Sequence, residues 1–78
     1  MNKRRMFLMV DRINDLKTLI ELTNKISSQV YAQRNEYVVD AKSLLGLMSL
    51  NLTKPICLIS DEDIPDEIYN ELKQFSVE

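Results

Sequence analysis

The sequence predicts one small α+β domain, in which a β-sheet carries helices on one side. Short apolar or alternating runs, typical of strands, interleave with segments of helical periodicity. No linker, internal repeat or low-complexity segment divides the chain. With 78 residues, 45% of them hydrophobic and 28% charged, the chain has room for one core and the composition of a folded protein. The predicted order of elements over residues 1–78 is β-α-β-β-α-β-α.

The first part of the chain predicts a strand followed by an amphipathic helix. Residues 4–10 form a short apolar run with a basic entry, which is suited to a central strand. Residues 14–26 repeat apolar side chains at helical spacing, and either Asn14 or Asp11 is a candidate N-cap. Because a charged residue, Asp11, follows the apolar run so soon, the run is too short for a signal peptide.

The middle of the chain predicts a β-hairpin. Residues 29–34 and 37–40 both alternate between apolar and polar side chains, and two residues separate them. Asn35 tolerates the positive φ that a tight turn requires. We therefore expect two adjacent antiparallel strands here.

A short helix is predicted next, over residues 44–50. Ser43 stands directly before it, where its hydroxyl oxygen can accept a hydrogen bond from an unpaired amide of the first turn. Asn51 is a candidate left-handed terminator. Five of the seven residues are large and apolar, which is more than one short helix can bury. At least one face of this helix is expected to be exposed.

The last part of the chain predicts a buried strand and a final brief helix. The strand covers residues 54–60 and contains the single cysteine, Cys57, whose expected role is core packing. The helix is expected to be capped by Asp63 or Ile64, with Pro65 in its first turn.

Composition and motifs exclude several classes of function. A net charge of −2 offers no electrostatic basis for binding nucleic acid or an anionic membrane, and no segment approaches the ~20 apolar residues of a membrane span. One cysteine and no histidine cannot form a zinc site, and the acidic run at residues 61–67 lacks the pattern of a calcium loop. No nucleophile and base stand at a catalytic spacing. We expect a cytoplasmic protein that is not an enzyme and uses no metal or cofactor.

One segment carries a family resemblance. It reads Lys42-Ser43-Leu44-Leu45-Gly46-Leu47-Met48-Ser49-Leu50. This stretch resembles the regulatory-serine motif of HPr, the small phosphocarrier of the bacterial sugar phosphotransferase system (PTS). The resemblance implies an open-faced sandwich: a four-stranded antiparallel sheet with three helices on one face, two longer and one short.

The resemblance also implies roles for residues of this segment. Ser43 would be a phosphorylation site for the HPr kinase/phosphorylase, and Lys42 could pair with the phosphate. Leu44, Leu45 and Met48 would be exposed contacts for protein partners, whereas Leu47 and Leu50 would belong to the core. The implied partners are the kinase, a catabolite-control repressor of the LacI type and other PTS proteins.

The carrier histidine of the family has no counterpart in this chain. Counting back from the Lys42-Ser43 pair places that site at Arg12, where the family's glycine and proline are also missing. A guanidinium stays protonated and cannot attack phosphorus as imidazole does. Arg12 is then either a solvated surface arginine or a contact for an anion.

These observations lead to a functional hypothesis. The chain is expected to be a monomeric HPr-like regulatory or adaptor protein in the PTS or in carbon catabolite repression. It would be unable to carry phosphate on histidine and would be switched by phosphorylation at Ser43. The alternative is an interaction domain that keeps the HPr fold and has lost all PTS roles.

Overall fold

The structure, a computed structural model, describes residues 3–77; residues 1, 2 and 78 of the predicted domain lie outside the described part. The order β-α-β-β-α-β-α is confirmed. The elements are β1 (Arg5–Leu8), α1 (Ile13–Asn24), β2 (Val30–Arg34), β3 (Tyr37–Asp40), α2 (Leu44–Met48), β4 (Ile56–Ser60) and α3 (Asp66–Leu72), and a 3₁₀ turn at Lys73–Phe75 follows α3.

The four strands form one antiparallel sheet in the order β1-β4-β2-β3. The prediction that the first strand is central is wrong, because β1 lies at an edge. Its outer side is partly covered by the end of the chain: the Met9 amide donates to the Phe75 carbonyl at 2.9 Å, and Leu8 bridges to Ser76. This cover explains how an apolar strand can occupy an edge position.

The core lies between the sheet and the helices. Alternate residues of the strands point into it, among them Leu8, Val30 and Leu58, which are completely buried. Leu19 of α1 and Leu72 of α3 meet them from the helix side and are equally buried. Burying one such side chain contributes about 1.5–3 kcal/mol, so this single layer of contacts accounts for much of the stability of a chain this small.

The β2–β3 turn is formed as predicted. Asn35 has a φ of 56°, the only positive φ of a non-glycine residue within residues 3–77. Asparagine tolerates this left-handed conformation better than most side chains. The turn therefore sets the register in which Arg34 faces Tyr37.

The predicted caps of the two longer helices are wrong. The N-cap of α1 is Arg12, not Asn14 or Asp11, and its side chain makes no capping hydrogen bond. The N-cap of α3 is Pro65, not Asp63 or Ile64, and it likewise offers no side-chain cap. In both cases side chains further along the helix, Leu16 in α1 and Ile68 in α3, are buried in the core, and this packing outweighs the local preference for a polar cap.

An ion pair joins the chain before β1 to the start of α3. Lys3 donates a hydrogen bond to the Asp66 carboxylate, and this bond raises the pKa of Lys3 and lowers the pKa of Asp66. Arg4 and Asp63 form a second pair nearby, at 3.3 Å. Both pairs are at the surface, where such contacts contribute little to stability.

Cys57 does not lie in the core, which corrects the prediction. Burial alternates along β4, so that Ile56 and Leu58 are buried whereas Cys57 is only half-buried. It lines an open groove on the face of the sheet that the helices leave uncovered. The run of apolar residues in β4 concealed this alternation.

Candidate functional site

The segment that leads from β3 into α2 is held firmly against the core. Ala41 is completely buried, and its amide donates to the Val30 carbonyl at 2.9 Å. The buried hydroxyl of Thr23, in the last turn of α1, donates to the Ala41 carbonyl at 3.2 Å. These bonds tie the start of α2 to both the sheet and α1.

Ser43 is the N-cap of α2, as predicted. Its backbone is extended, with φ −106° and ψ 120°, and its Oγ accepts a hydrogen bond from the Gly46 amide at 3.1 Å. The Ser43 carbonyl accepts from the Leu47 amide at 3.0 Å and so begins the helix. The side chain is half-buried, which leaves the hydroxyl at the boundary between protein and solvent.

Gly46 allows α2 to lie close to the end of β3. A Cβ at this position would be 3.3 Å from the Asp40 carbonyl oxygen and 3.4 Å from the Ser43 side chain. The same Asp40 carbonyl accepts a hydrogen bond from the Ser43 amide at 3.1 Å. A side chain at this position would therefore require its neighbours to shift by a few tenths of an ångström.

The apolar residues of α2 separate into a buried and an exposed set. Leu47 is completely buried, and Leu50 just beyond the helix is 8% exposed. Leu44, Leu45 and Met48 are 41%, 82% and 54% exposed, in agreement with the expectation. We call these three side chains the α2 patch. It lies beside the Ser43 hydroxyl and is formed by neighbouring positions of one helical turn.

Lys42 points inward, contrary to what a phosphate partner requires. Its ammonium donates to the carbonyls of Ile26 at 2.7 Å and Ser28 at 3.0 Å, just beyond the end of α1. Its amide donates to the Asp40 carboxylate at 2.8 Å. In this structure Lys42 therefore holds the segment in place and does not contribute to the α2 patch.

The end of α2 differs from the prediction at Asn51. The Ser49 backbone at the C-cap is right-handed, and its hydroxyl donates to the Gly46 carbonyl at 2.6 Å. Asn51 does not have a positive φ; its side chain accepts from the Thr53 amide at 3.1 Å. Asn51 thus stabilises the turn after the helix and does not terminate it.

Arg12, where the sequence resemblance places the carrier histidine of HPr, lies at the start of α1. It is exposed, and its side chain makes no hydrogen bond or ion pair with residues 3–77. The next residue, Ile13, is also exposed, at 54%. The structure gives Arg12 no partner within residues 3–77 that would orient it toward a ligand.

Sequence reasoning missed the two residues that position Ser43. Thr23 is far away in the chain, and no local signal connects it to Ala41. Asp40 did carry a signal, because an aspartate that accepts from the amide two residues later forms a common turn. That turn is the one between β3 and Ser43.

Two other classes of site are absent from the part of the chain that the structure describes. No three side chains among His, Cys, Asp and Glu are grouped as a metal ion would require. No helix within residues 3–77 has the length and hydropathy to cross a membrane.

A comparison with solved structures bears on this arrangement. The crystal structure of HPr-C-His from Thermoanaerobacter tengcongensis superposes on the chain with a TM-score of 0.74, over 91% of this chain and 88% of that chain. The chain has the HPr fold. The identity between the two sequences is 20%, so the likeness to HPr lies in the fold. No protein-family model and no curated protein matches the sequence.

Proposed function

We propose that the chain is a divergent, non-catalytic HPr relative that acts in the cytoplasm as a regulatory or adaptor protein. Its setting would be the PTS or carbon catabolite repression. One observation carries this proposal: the Ser43 hydroxyl caps the short helix, and an exposed apolar patch lies beside it. The resemblance of residues 42–50 to the HPr motif supports giving Ser43 the role of the regulatory serine.

Phosphorylation of Ser43 is the proposed switch. The Oγ atom would attack the γ-phosphorus of ATP, forming the Oγ–P bond as the bond to ADP breaks and the hydroxyl proton leaves. The phosphate oxygens can still accept from the Gly46 amide, which the Oγ now binds at 3.1 Å, so the helix is expected to persist. The modified protein would present about −1.5 to −2 charges beside the α2 patch.

The α2 patch is the proposed docking surface. Burying one of its side chains could contribute about 1.5–3 kcal/mol before the costs of association are subtracted. Three such side chains make a modest and reversible interface. The flexible thioether of Met48 suits a surface that accepts more than one partner. By resemblance, the partners are the HPr kinase/phosphorylase, a catabolite-control repressor and other PTS proteins.

The carrier role of HPr is not part of this proposal. The chain contains no histidine, and Arg12 offers a guanidinium that stays protonated and cannot take up a phosphoryl group. Arg12 is also exposed and unpaired within residues 3–77, as a solvated arginine would be. The proposed function therefore keeps the serine and its helix, and not the histidine site.

A kinase assay tests the switch. The protein and two variants, Ser43→Ala and Ser49→Ala, are incubated with a cognate HPr kinase and ATP and then weighed as intact chains. We expect one phosphate on the unmodified sequence and on Ser49→Ala, and none on Ser43→Ala. Ser49 is the matched control because it lies at the other end of the same helix.

An ordinary histidine-containing HPr serves as the positive control for the kinase. If that HPr is modified and this chain is not, the switch is refuted. The alternative function then takes its place: an interaction domain with the HPr fold that has lost its PTS roles.

A further inference from the structure

The face of the sheet opposite the helices consists of two rows of side chains. We call it the open face. The strand register aligns Phe7, Cys57, Gln33 and Val38 in one row. It aligns Arg5, Ile59, Tyr31 and Asp40 in the other.

The open face carries exposed apolar side chains and charged ones: Arg5 and Asp40 lie at the ends of one row, and Arg34 lines the groove beside Phe7. Phe7 is 45% exposed and Val38 is 55% exposed. Each belongs to an edge strand and lies on the open face. Arg5 and Asp40 are both exposed, and neither forms an ion pair within residues 3–77. They occupy the two ends of one row, on opposite edges of the sheet.

We propose that the open face binds the open face of a second copy of this chain, about a twofold axis parallel to the strands. Rotation about this axis leaves the position of each residue along the strands unchanged and exchanges the two edges of the sheet. Arg5 of one copy then faces Asp40 of the other, and Asp40 faces Arg5, so two ion pairs form. In the second row the exposed Phe7 meets the exposed Val38 twice. The face is thus complementary to itself in charge and in apolar surface.

A second twofold axis is possible, which also lies in the plane of the face but runs across the strands. A dimer about this axis lacks the complementarity. Rotation about it places each edge strand over the same edge strand of the partner and exchanges the two rows of side chains. Arg5 would then cover Phe7, and Asp40 would cover Val38, so both charges would be placed against apolar side chains without a counterion. The positions of the two charges therefore select the axis parallel to the strands.

The neighbouring lysines do not oppose this pairing. Lys3 and Lys42 flank the row of Arg5 and Asp40 at the two edges. Lys3 is engaged by Asp66, and the ammonium of Lys42 is bound to the Ile26 and Ser28 carbonyls. The charge of Lys3 is thus balanced by Asp66, and the Lys42 ammonium, which keeps its charge, is held at the end of α1.

The dimer is expected to be weak. Four strands spaced about 4.8 Å apart give a face roughly 20 Å wide, which is smaller than the interfaces of stable dimers. Two exposed ion pairs add specificity more than affinity. We expect reversible association with a dissociation constant on the order of 100 μM. This departs from the monomer that the sequence leads one to expect.

The inference is independent of the proposed function. The α2 patch lies on the helix side of the sheet, so a dimer through the open face leaves Ser43 and its neighbours accessible. A chain that fails to dimerise could still be phosphorylated, and a chain that is never phosphorylated could still dimerise.

Sedimentation equilibrium over a range of concentrations tests the dimer. The 9.1 kDa chain is expected to approach twice its mass as concentration rises into the millimolar range. Arg5→Glu places like charges opposite each other in both pairs and should raise the dissociation constant about tenfold. Lys17→Glu, the same charge reversal on the exposed side of α1, should leave the constant unchanged.

Mixing two variants gives the decisive measurement. Arg5→Glu and Asp40→Arg should each associate poorly alone, whereas an equimolar mixture should form a heterodimer with two ion pairs, one of the original polarity and one with its charges exchanged. Asp40→Asn is the second variant, because it keeps an oxygen for the Lys42 amide and removes only the charge. It should weaken the dimer with no loss of helix in circular dichroism.

Three results would overturn the inference. One is a chain that stays monomeric up to millimolar concentration, in which case the open face serves another occupant or none. Another is a dimer that is insensitive to Arg5→Glu and Asp40→Asn. The third is a mixture of the two charge-reversed variants that does not associate more strongly than either alone.

Discussion

The starts of α1 and α2 contrast in how each helix is begun. Ser43 is extended, accepts a hydrogen bond from the Gly46 amide and is held by the Asp40 carbonyl. Arg12 is equally extended at the start of α1, but its side chain offers no cap and makes no contact that fixes it. Both positions have the extended backbone of an N-cap, but only Ser43 has a side chain that accepts a hydrogen bond from the helix.

The difference corresponds to two sites of the family that the fold resembles. By the sequence resemblance, Ser43 is proposed to stand at the place of the HPr regulatory serine, and Arg12 at the place of its histidine. The capped start combines a serine cap with a glycine that permits close packing. The uncapped start has the extended backbone of an N-cap without a side-chain cap.

The largest effect concerns the packing that holds the capped start in place. Leu47→Ala should lower the free energy of unfolding by about 2–5 kcal/mol, because the side chain is completely buried. Leu45→Ala, in the same helix but 82% exposed, should change it by less than about 0.5 kcal/mol. Urea denaturation measures both. Similar losses for the two variants would show that the α2 patch is packed and not available for docking.

The cap itself gives the next largest effect. Ser43→Ala removes the acceptor of the Gly46 amide and should cost about 1 kcal/mol, whereas Ser43→Asp keeps an acceptor and should cost less than about 0.5 kcal/mol. The two variants are compared by thermal and urea unfolding. If alanine and aspartate destabilise the protein equally, the hydrogen bond to Gly46 does not hold the helix, and the contrast with Arg12 disappears.

The smallest effect has the opposite sign. Arg12→Ser supplies the missing cap at a backbone that already has extended geometry, with φ −111° and ψ 149°. It should stabilise the protein by about 0.5–1 kcal/mol. Arg12→Ala is the control, since it removes the arginine without adding a cap. A stability equal to that of the alanine variant would mean that the first amides of α1 are already satisfied by water.

Features encoded by neighbouring residues were predictable from the sequence. The cap at Ser43 and the positive φ at Asn35 each depend on a few consecutive residues, and both are observed. The order of elements was also predictable, because each element carries its own periodicity. The family motif added the four antiparallel strands and the exposure of Leu45, which periodicity alone left open.

Features that depend on strand order were not predictable. An apolar run such as residues 4–10 does not reveal whether its strand lies at the centre or the edge of a sheet. The position of β1 at the edge follows from β4 pairing with it, a contact between distant parts of the chain. The same pairing decides that Cys57 faces the open side.

The inward position of Lys42 had a similar cause. Its partners, the carbonyls of Ile26 and Ser28, are 16 and 14 residues away and come close only when α1 packs beside α2. The position of Lys42 next to Ser43 suggests a partner for a phosphate, whereas its actual contacts are set by the tertiary fold.

The inward lysine has a consequence for how α2 responds to salt. Between residues 41 and 53 no other side chain is ionisable, and the Lys42 ammonium is held by carbonyls at the end of α1, so the α2 patch itself contains no charged side chain. Association of the unmodified protein through α2 would then be nearly insensitive to ionic strength. A phosphate on Ser43 would change the affinity for a charged partner strongly at low salt and weakly at high salt, because ions screen exposed charges within about 10 Å at 0.1 M.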